Sequence, residues 1–599
     1  MNKISVTLAA LLMSVATCHA AEVRFPADSG IVNVRDFGAK GNGRDDDTHA
    51  LLAAVAASGQ DTGSKFWKTK IVWLPKGVYR VSAPLVKRYA DGRFGSGMVL
   101  VGESETDTVI KLVDNAPGYG SASTPRGVIM TTAKLLDGTP DSGGKDYTHK
   151  GEGNDAYENF VENLTVDVGK GNPGAIGIDY LANNIGAVRD VTVEGDGAIG
   201  ISMQRKWPGP ALVQRVAVHG FDTGLAVANT EYGMTLDHVD LTGQKHIGLE
   251  NDGNAISANR LTFSGPGTPV VNRAAGGLIL LDGTSDGEGR SDNVIWAGSR
   301  QQKFNKGSLP DAPADFDEPS GKWANVLKFM PAGGDPHDIT KALRAAFASG
   351  AATVYLPFGD YHITEGITIP STLRRFVGMN ATIGVSPDRT PTFMRDTGMF
   401  QVSAPGSPLT IDRLAFDMSN LGDQVAVQVT ANREVTLRDV VTAGTSLLSR
   451  GKQGGRVFVE DSCCGALQTE GPAPVIARQF NTEGGGTRIV ANGTPITILG
   501  LKTEGDCTVL QAEGGARATI LGGLVYIVGD ADQSIPAFVV KDARLTASFV
   551  EESLRPYSHY TIYVRDQRGG ASVAAAQFPA RGFGRIVPWL VTGQLVSGH

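Results

Sequence analysis

The sequence predicts an all-β protein built from two tandem right-handed parallel β-helices (the pectin-lyase-like architecture), side by side, each with an N-terminal capping helix. Three observations lead to this prediction. Strand-like segments recur every 20 to 30 residues, a longer motif is repeated 282 residues later, and glycine supplies 77 of the 599 residues. Coils of a solenoid bury their apolar faces only by stacking on neighbours, and glycine suits the turns between their strands.

The repeating unit is a six-residue segment rich in alternating apolar side chains. In the first half its starts lie 27, 25, 23 and 22 residues apart, and the pattern resumes after residue 400. The first series occupies residues 161–166, 188–193, 213–218, 236–241 and 258–263, and the second occupies 409–414, 435–440, 475–480, 496–501 and 518–523. Because alternate side chains of a strand share one face, both series predict stacked parallel strands.

A longer duplication predicts two domains. The segment VWLPKGVY at residues 72–79 matches VYLPFGDY at 354–361, and a helix-like run precedes each copy. A helix in that place would cover the open edge of the first coil. The predicted boundaries are 1–20 for a signal peptide, 21–302 for the first β-helix domain, 303–322 for a polar, proline-rich linker and 323–599 for the second β-helix domain.

The signal peptide is predicted from a positive charge at Lys3, an apolar run over residues 4–16, and small residues at Cys18 and Ala20. We expect cleavage after Ala20 and a secreted or periplasmic protein. No later stretch reaches the ~18 apolar residues that a membrane span requires. The net charge of −7 gives no basic field for phosphates, so nucleic acid is not expected as a partner. Oligomeric state is left open.

The opening motif, VNVRDFGAKGNGRDDDT at residues 32–48, resembles the start of pectate-lyase-superfamily β-helix proteins. Its three aspartates, at 45–47, directly precede the helix-like run, so we assign them to capping the helix N-terminus. No metal and no cofactor are predicted. The Asn-Thr-Asp, Gly-Asp-Asp and Gly-His-Gly motifs of polygalacturonases do not occur in the predicted strands, and no cluster typical of a calcium-dependent lyase was found.

Two glutamates fall one coil apart in the second domain. Aligning their Thr-Glu-Gly triplets gives an offset of 21 residues, which places Glu483 over Glu504 and Asn481 over Lys502 on the outward face. Stacked coils lie about 4.8 Å apart, so repulsion between the carboxylates should raise one pKa. A carboxylic acid protonated near neutrality can protonate the leaving oxygen of a glycoside. The alternative is that the two carboxylates are a solvated pair on the outer face, with their repulsion reduced by Lys502.

The segments RQFNTE at 478–483, ILGLKTEG at 498–505 and LGGLVY at 521–526 resemble the second β-helix of glycoside hydrolase family 55. Members of that family are exo-acting β-1,3-glucanases with tandem β-helices and an inverting mechanism. The resemblance implies that Glu504 is the general acid and Glu483 its supporting acidic neighbour.

The same resemblance implies substrate-binding roles for Gln479, Asn481, Lys502 and Tyr526. In the first domain Asn184 takes the place where the family has a glutamine that holds the attacking water. No counterpart of the family's serine is found near residues 207–210, so water activation is expected to differ. Candidate sugar-stacking aromatics, each more commonly a packing residue, are Trp207, Tyr232, Trp296, Tyr526 and Tyr557.

The sequence therefore favours an exported glycoside hydrolase that cleaves a β-glucan, exo-acting on β-1,3-glucan and inverting, with a polysaccharide or oligosaccharide as its partner. Two alternatives remain open: a polysaccharide lyase on the same fold, and a non-catalytic carbohydrate-binding β-helix. Three cysteines remain after cleavage. Cys507 could pair with Cys463 or Cys464 in an oxidising compartment, and buried free thiols are the equal alternative.

Overall fold

The computed structural model describes residues 22–59, 69–88, 92, 94–133, 153–273, 277–285, 291–297, 300–303, 309–386, 397–418, 424–450, 455–567 and 572–592, with side chains except at 154 and 278–303. The predicted signal peptide lies outside these residues. Within them, no helix is both long and apolar enough to cross a membrane.

The first half of the chain, here called the first lobe, forms two sheets. Its long-strand sheet contains Val32–Asn33, Val72–Leu74, Val99–Gly102, Tyr157–Asp167, Asn183–Gly195, Ala211–Gly220, Met234–Thr242, Ala255–Ser264, Leu278–Ser285, Ser291–Ala297 and Arg300–Lys303, with Asn42–Asp46, Gly77–Val81 and Thr108–Leu112 beside them. Its short-strand sheet contains Leu85–Val86, Arg126–Met130, Ala175–Asp179, Ile199–Met203, Thr223–Ala228, Ile247–Asp252 and Thr268–Asn272.

The second lobe repeats this plan. Its long-strand sheet contains Ala324–Asn325, Thr353–Tyr355, Asp360–Ile363, Arg375–Val385, Leu409–Asp417, Val435–Thr442, Val457–Ser462, Val475–Glu483, Pro495–Glu504, Arg517–Ile527, Arg544–Ser553, Ala580–Arg581 and Gly584–Val591. Its short-strand sheet contains Ile367–Thr368, Phe400–Val402, Val425–Val429, Thr445–Ser449, Ala466–Glu470, Gly486–Asn492, Cys507–Glu513, Phe538–Lys541, Ile562–Asp566 and Ser572–Ala574.

The predicted all-β, parallel β-helix fold is confirmed. In the first lobe, Val161 lies opposite Val188, which lies opposite Val213, so successive repeats pair in the predicted register. The prediction of the second series lacked one coil. In the structure, strand Val457–Ser462 pairs between the strands that begin at Val435 and Val475. This coil is short, and Cys463 and Cys464 directly follow its strand, before the turn glycine Gly465.

Each long strand of the central coils bends at one residue with a left-handed backbone. In the first lobe the bend is the third residue of the repeat, and in the second lobe it is the fifth. The bend residues are Asn163, Asp190, Arg215, His238 and Arg260 in the first lobe and Arg413, Asp439, Asp461, Gln479, Gly500 and Gly522 in the second.

Both predicted capping helices are present, at Thr48–Ala57 and Thr340–Ala348. Each buries apolar residues in the core of its lobe, such as Leu51 in the first and Leu343 in the second. The prediction that all three aspartates at 45–47 cap the first helix is met only in part. Asp46 accepts the Thr48 N–H at 2.9 Å, whereas Asp47 accepts the backbone N–H groups of the preceding turn at residues 40 and 41. The short 3-10 helices are Val34–Phe37, Gly153–Asp155, Ser320–Lys322, Val326–Phe329 and Ala575–Gln577.

The long-strand sheets of the two lobes pack against each other along a line that we call the seam. Strand Ala255–Ser264 contacts both Pro495–Glu504 and Arg517–Ile527. The approach is close at Gly500, where an added Cβ would lie 1.7 Å from Thr235 Oγ1. Since Gly500 also has a φ of +72°, both the backbone and the packing favour glycine here.

Further along the seam, four charged side chains form a buried cluster that we call the seam network: Glu162, Arg189, Arg413 and Asp439. Arg189 donates to Glu162 at 2.7 Å and to Asp439 at 2.9 Å, and Arg413 also donates to Glu162. Glu162 and Arg189 belong to the first lobe and the other two to the second. The lobes are therefore joined by paired charges sealed from water.

The segment between the lobes lies along the seam. Leu309 packs in an apolar cluster with residues of both lobes, and Asp315 accepts a hydrogen bond from Arg438 at 2.8 Å. No helix or strand occurs in the described residues 309–319. The domain boundaries proposed from the sequence remain a prediction.

Candidate active site

The two predicted glutamates end neighbouring strands. Strands Val475–Glu483 and Pro495–Glu504 pair in parallel, with Glu483 opposite Glu504 and Asn481 opposite Lys502. Tyr526, on the following strand, lies opposite Glu504. The structure therefore has the register that the triplet alignment predicts.

In an isolated β-helix the outward-facing residues of these strands would be solvated, but here they are not. Asn481 and Lys502 are fully buried, because the first lobe covers this face of the second. The carboxylates lie further along the strands and stay partly open, with side chains 27% exposed at Glu483 and 33% at Glu504. The site is therefore at the margin of the seam, with a buried floor and an accessible edge.

Lys502 joins the two carboxylates. Its Nζ donates to Glu483 Oε1 at 2.7 Å and to Glu504 Oε2 at 2.5 Å. Because both oxygens contact one nitrogen, they are at most 5.2 Å apart. The sequence predicted the neighbouring carboxylates and placed Lys502 near them on a solvated face; in the structure Lys502 is buried and bridges the two carboxylates.

This ammonium stabilises the charge of Glu483. Burial by itself would raise the pKa of Glu483, but the charge and hydrogen bond of Lys502 and the amide of Asn481 hold it below its ordinary value. Burial would lower the pKa of Lys502, and the two carboxylates raise it instead. The expectation that repulsion raises one pKa of the pair stays a prediction, and the partner whose charge would cause that rise, Glu483, is held ionised by the buried cation.

The first lobe contributes Asn184, in strand Asn183–Gly195 and with a left-handed φ of +60°. Asn184 Oδ1 lies 3.3 Å from Asn481 Nδ2 and 3.5 Å from Lys502 Nζ. The Asn481 amide also donates to Glu483 Oε1 at 2.9 Å. The structure thus brings Asn184 from the first lobe into contact with the carboxylate site of the second.

Gln479 occupies the bend of its strand and faces the first lobe. Its Oε1 accepts a hydrogen bond from Thr235 Oγ1 at 2.7 Å, and its side chain is buried. Its substrate-binding role stays a prediction. The contact with Thr235 could not be read from the sequence, because the two residues lie on different lobes, 244 positions apart.

Three aromatic rings line the floor beside the carboxylates. Tyr526 packs edge-on against Tyr232 at 5.7 Å between ring centroids, and Tyr232 packs edge-on against Trp207 at 6.4 Å. All three are buried, whereas Tyr557 is exposed. Trp296 lies in strand Ser291–Ala297, and its side chain is outside the described set. Sugar stacking by these residues stays a prediction.

The cysteines are arranged differently from the prediction. Cys463 and Cys464 form a disulfide with each other, and Cys507 is a buried free thiol. Pairing of Cys507 with either neighbour is therefore wrong. The adjacent pair lies beside the carboxylate site, since Asn481 Nδ2 contacts Cys463 Sγ at 3.2 Å.

Comparison with known proteins agrees with the resemblance carried by the opening motif. Residues 31–282 match the protein-family model described as rhamnogalacturonase A/epimerase, pectate lyase-like. This match confirms a pectate-lyase-like first lobe.

Two curated relatives match short segments. Alginate lyase 7 of Azotobacter vinelandii is 44% identical over 84 residues, which cover 14% of this chain and 9% of that protein. A probable glucan endo-1,3-beta-glucosidase of Arthroderma benhamiae is 40% identical over 60 residues, which cover 10% of this chain and 7% of that protein. The chain thus matches less than a tenth of the length of either relative.

Among solved structures, sacteLam55A from Streptomyces sp. SirexAA-E aligns over 89% of this chain and 94% of its own, at 11% identity and a TM-score of 0.46. A variant of the same protein, solved in complex with glucose, aligns with a TM-score of 0.44. The fold described above rests on the strand pairing of this chain itself.

Proposed function

We propose that the protein is a glycoside hydrolase that cleaves a β-glucan, as an exo-acting and inverting β-1,3-glucanase with Glu504 as general acid. The observation that carries the proposal is the carboxylate pair at the open margin of the seam, in register on adjacent coils and held on a buried lysine. The resemblance of the surrounding segments to glycoside hydrolase family 55 and the short match to a glucan endo-1,3-beta-glucosidase support the same substrate class.

In the proposed reaction a protonated Glu504 donates its proton to the glycosidic oxygen as the bond to the anomeric carbon breaks. Glu483 stays ionised, since Lys502 and Asn481 stabilise its charge. Its negative charge, close to the reacting ring, would stabilise the positive charge that develops there. Lys502 keeps both carboxylates in place from the buried side.

Glu483 is a poor choice for the base that activates water. Inverting enzymes separate their two carboxyl groups by about 6.5–9.5 Å to admit a water molecule, and the two oxygens bound to Lys502 are at most 5.2 Å apart. A retaining pair is closer, at about 5–5.5 Å, but here Lys502 fills the space between the carboxylates. We therefore assign the water to the first-lobe side, where Asn184 offers an amide for positioning it.

A polysaccharide lyase is the second candidate, supported by the pectate-lyase-like first lobe and the short match to an alginate lyase. A lyase needs an unprotonated base and a site that accepts a uronate carboxylate. Lys502, whose pKa is raised by two carboxylates, is poorly suited to be that base. The negative charge of Glu483 would also repel an acidic polymer, and these two points favour the hydrolase.

The test is turnover of a polymer panel by the purified protein. We expect glucose release from laminarin-type β-1,3-glucan, with the α-anomer appearing first in proton NMR. Alginate and polygalacturonate should give no ultraviolet-absorbing unsaturated ends. Unsaturated ends without glucan cleavage would establish the lyase, binding without any product would establish a carbohydrate-binding protein, and first release of the β-anomer would overturn the inverting mechanism.

A further inference from the structure

The disulfide turn lies directly against the strand that carries Glu483. Cys464 N–H donates to the Asn481 carbonyl at 2.9 Å, and Glu483 N–H donates to the Cys464 carbonyl at 3.3 Å. Cys464 has a left-handed φ of +78°. The two sulfurs are therefore held at a fixed place beside the Glu483 side chain.

One ligand atom from each of Cys463, Cys464 and Glu483 lies within 4.8 Å of the others. In tetrahedral zinc sites the bonds are about 2.3 Å to sulfur and about 2.0–2.2 Å to carboxylate oxygen. Two ligands of one ion are thus separated by less than roughly 4.6 Å, so small side-chain movements suffice for convergence. Thiolates and carboxylate together suit a thiophilic divalent cation.

The sulfurs cannot act as thiolate ligands while they are bonded to each other. Cys463 is fully buried, but Cys464 and Glu483 are partly exposed, which gives an external thiol and a cation a route to the site. Cys507, the other cysteine among the described residues, is buried and takes no part in this cluster.

We propose that Cys463, Cys464 and Glu483 form a redox-gated site for a thiophilic divalent cation such as Zn²⁺. The gate opens when two external thiols reduce the disulfide, giving two cysteine thiols and one external disulfide. Zn²⁺ then binds both sulfurs as thiolates with release of two protons, and the Glu483 carboxylate is the third protein ligand. After loss of the cation, exchange with an external disulfide re-forms the bond between Cys463 and Cys464, releases two external thiols and closes the site.

Cation binding would remove Glu483 from Lys502 and Asn481, so it should inhibit the enzyme. This inhibition rests on the proposed hydrolase function, whereas cation binding does not and is measured separately. Binding without inhibition would leave the metal site standing and count against Glu483 in catalysis.

The binding test compares the full-length mature protein before and after reduction with a phosphine that is then removed under anaerobic conditions. Alkylation should find no accessible thiol at Cys463 or Cys464 before reduction and both afterwards. Calorimetry should then detect one equivalent of Zn²⁺ only in the reduced protein. Co²⁺ should give a thiolate-to-metal charge-transfer band that Zn²⁺ abolishes.

Three variants assign the ligands. Cys464→Gly suits the left-handed backbone and should lose the charge-transfer band, whereas Cys507→Ser is the matched control and should keep it. Glu483→Gln should weaken Zn²⁺ binding by about tenfold or more, as even loss of a supporting contact to a ligand does. If Cys464→Gly does not fold, alkylating the reduced wild-type protein should abolish binding in the same way.

The proposal is overturned if the reduced protein binds no Zn²⁺, or if the oxidised protein binds it equally well. Alkylation of Cys463 and Cys464 before reduction would show that both are free thiols, so that no disulfide controls the site. An unchanged affinity in Glu483→Gln would exclude that residue as a ligand.

Discussion

Two sets of charges in the seam are chemically alike and differ in access. In the seam network, Arg189 lies between Glu162 and Asp439, and none of their side chains is more than 9% exposed. At the carboxylate site, Lys502 lies between Glu483 and Glu504, but there the carboxylates are 27% and 33% exposed. Each set places a cation between two acids, and only one of them can be reached from solution.

The difference follows from position along the strands. Asp439 lies inside its strand and faces the first lobe, whereas Glu483 and Glu504 are the last residues of their strands. Lys502, two residues before Glu504, is still buried, and the two carboxylates are partly exposed. Access to the site therefore begins at the strand ends.

The largest expected effect is the loss of activity in Glu504→Gln. This change keeps the shape of the side chain and removes the proton donor, so turnover of the glucan should fall about 10²–10⁴-fold. Because Glu504 is at the open edge, the free energy of unfolding should change little. Glu470→Gln, on an exposed strand end of the second lobe, is the matched control for kinetics and for urea unfolding. Full activity in Glu504→Gln would remove it as the acid.

The second largest expected effect is a loss of stability when the seam network loses a cation. Arg189→Met leaves Glu162 and Asp439 buried without their shared cation, which should lower the free energy of unfolding by about 3–5 kcal/mol. The kcat of the folded fraction should not change. Arg273→Met, which removes an exposed ion pair with Glu250, is the control and should leave urea unfolding nearly unchanged. Equal unfolding curves for the two variants would show that the seam network contributes no stability.

Another buried carboxylate, Glu551, feels the charge of Arg585 but forms no ion pair with the cations of the described residues. Burial raises its pKa to about 7, although Tyr563 Oη and the Tyr560 N–H donate to it. The folded protein therefore binds this proton more tightly than the unfolded chain. Its contribution to stability is complete below about pH 4.5 and is lost as the pH rises through about 7.

Glu551→Gln should remove this pH dependence. Relative to the wild type, the variant should gain roughly 3 kcal/mol in the free energy of unfolding between pH 4.5 and pH 8. Urea unfolding at several pH values measures the difference. A constant difference between the two proteins across this range would contradict the raised pKa of Glu551.

The smallest effect concerns the closeness of the lobes. Gly500→Ala places a methyl group in a left-handed backbone and against Thr235 Oγ1, whereas Gly486 has the same φ of +72° and open space around it. Gly486→Ala should lose about 1 kcal/mol from backbone strain alone. Gly500→Ala should lose a further 1–2 kcal/mol or so from the lobe contact. Equal losses in thermal unfolding would mean that the lobes can separate locally at no cost.

The sequence predicts the features of this molecule that are formed by contacts within a single lobe. The 21-residue coil and the two-residue alternation were sufficient to place Glu483 over Glu504, because the offset between these two strands stays at 21 residues along their whole pairing. The same reasoning failed for Val457–Ser462, whose coil is shorter. The bend also escaped prediction, since residues as different as Arg413 and Gly500 adopt it.

The parts that depend on both lobes could not be predicted. Burial of Lys502 requires a second lobe against its face, and no periodicity in one lobe reports the alignment of the other. The disulfide between Cys463 and Cys464 was missed because the adjacent cysteines were considered only as partners for Cys507. Asn184 was placed through a resemblance, and its contact with Asn481 spans 297 positions of sequence.

The order of charges in the seam network has a consequence for how the solenoids align. One coil pairs Glu162 with Arg413, and the next pairs Arg189 with Asp439. Sliding one lobe by a single coil, about 4.8 Å, would bury Glu162 against Asp439 or Arg189 against Arg413, and such like charges repel strongly away from water. Distance-resolved cross-linking that detected a second alignment would contradict this inference. The periodicity of the two lobes alone would allow several alignments that differ by whole coils. Because the charges alternate in sign from one coil to the next, we expect only one of these alignments to be stable.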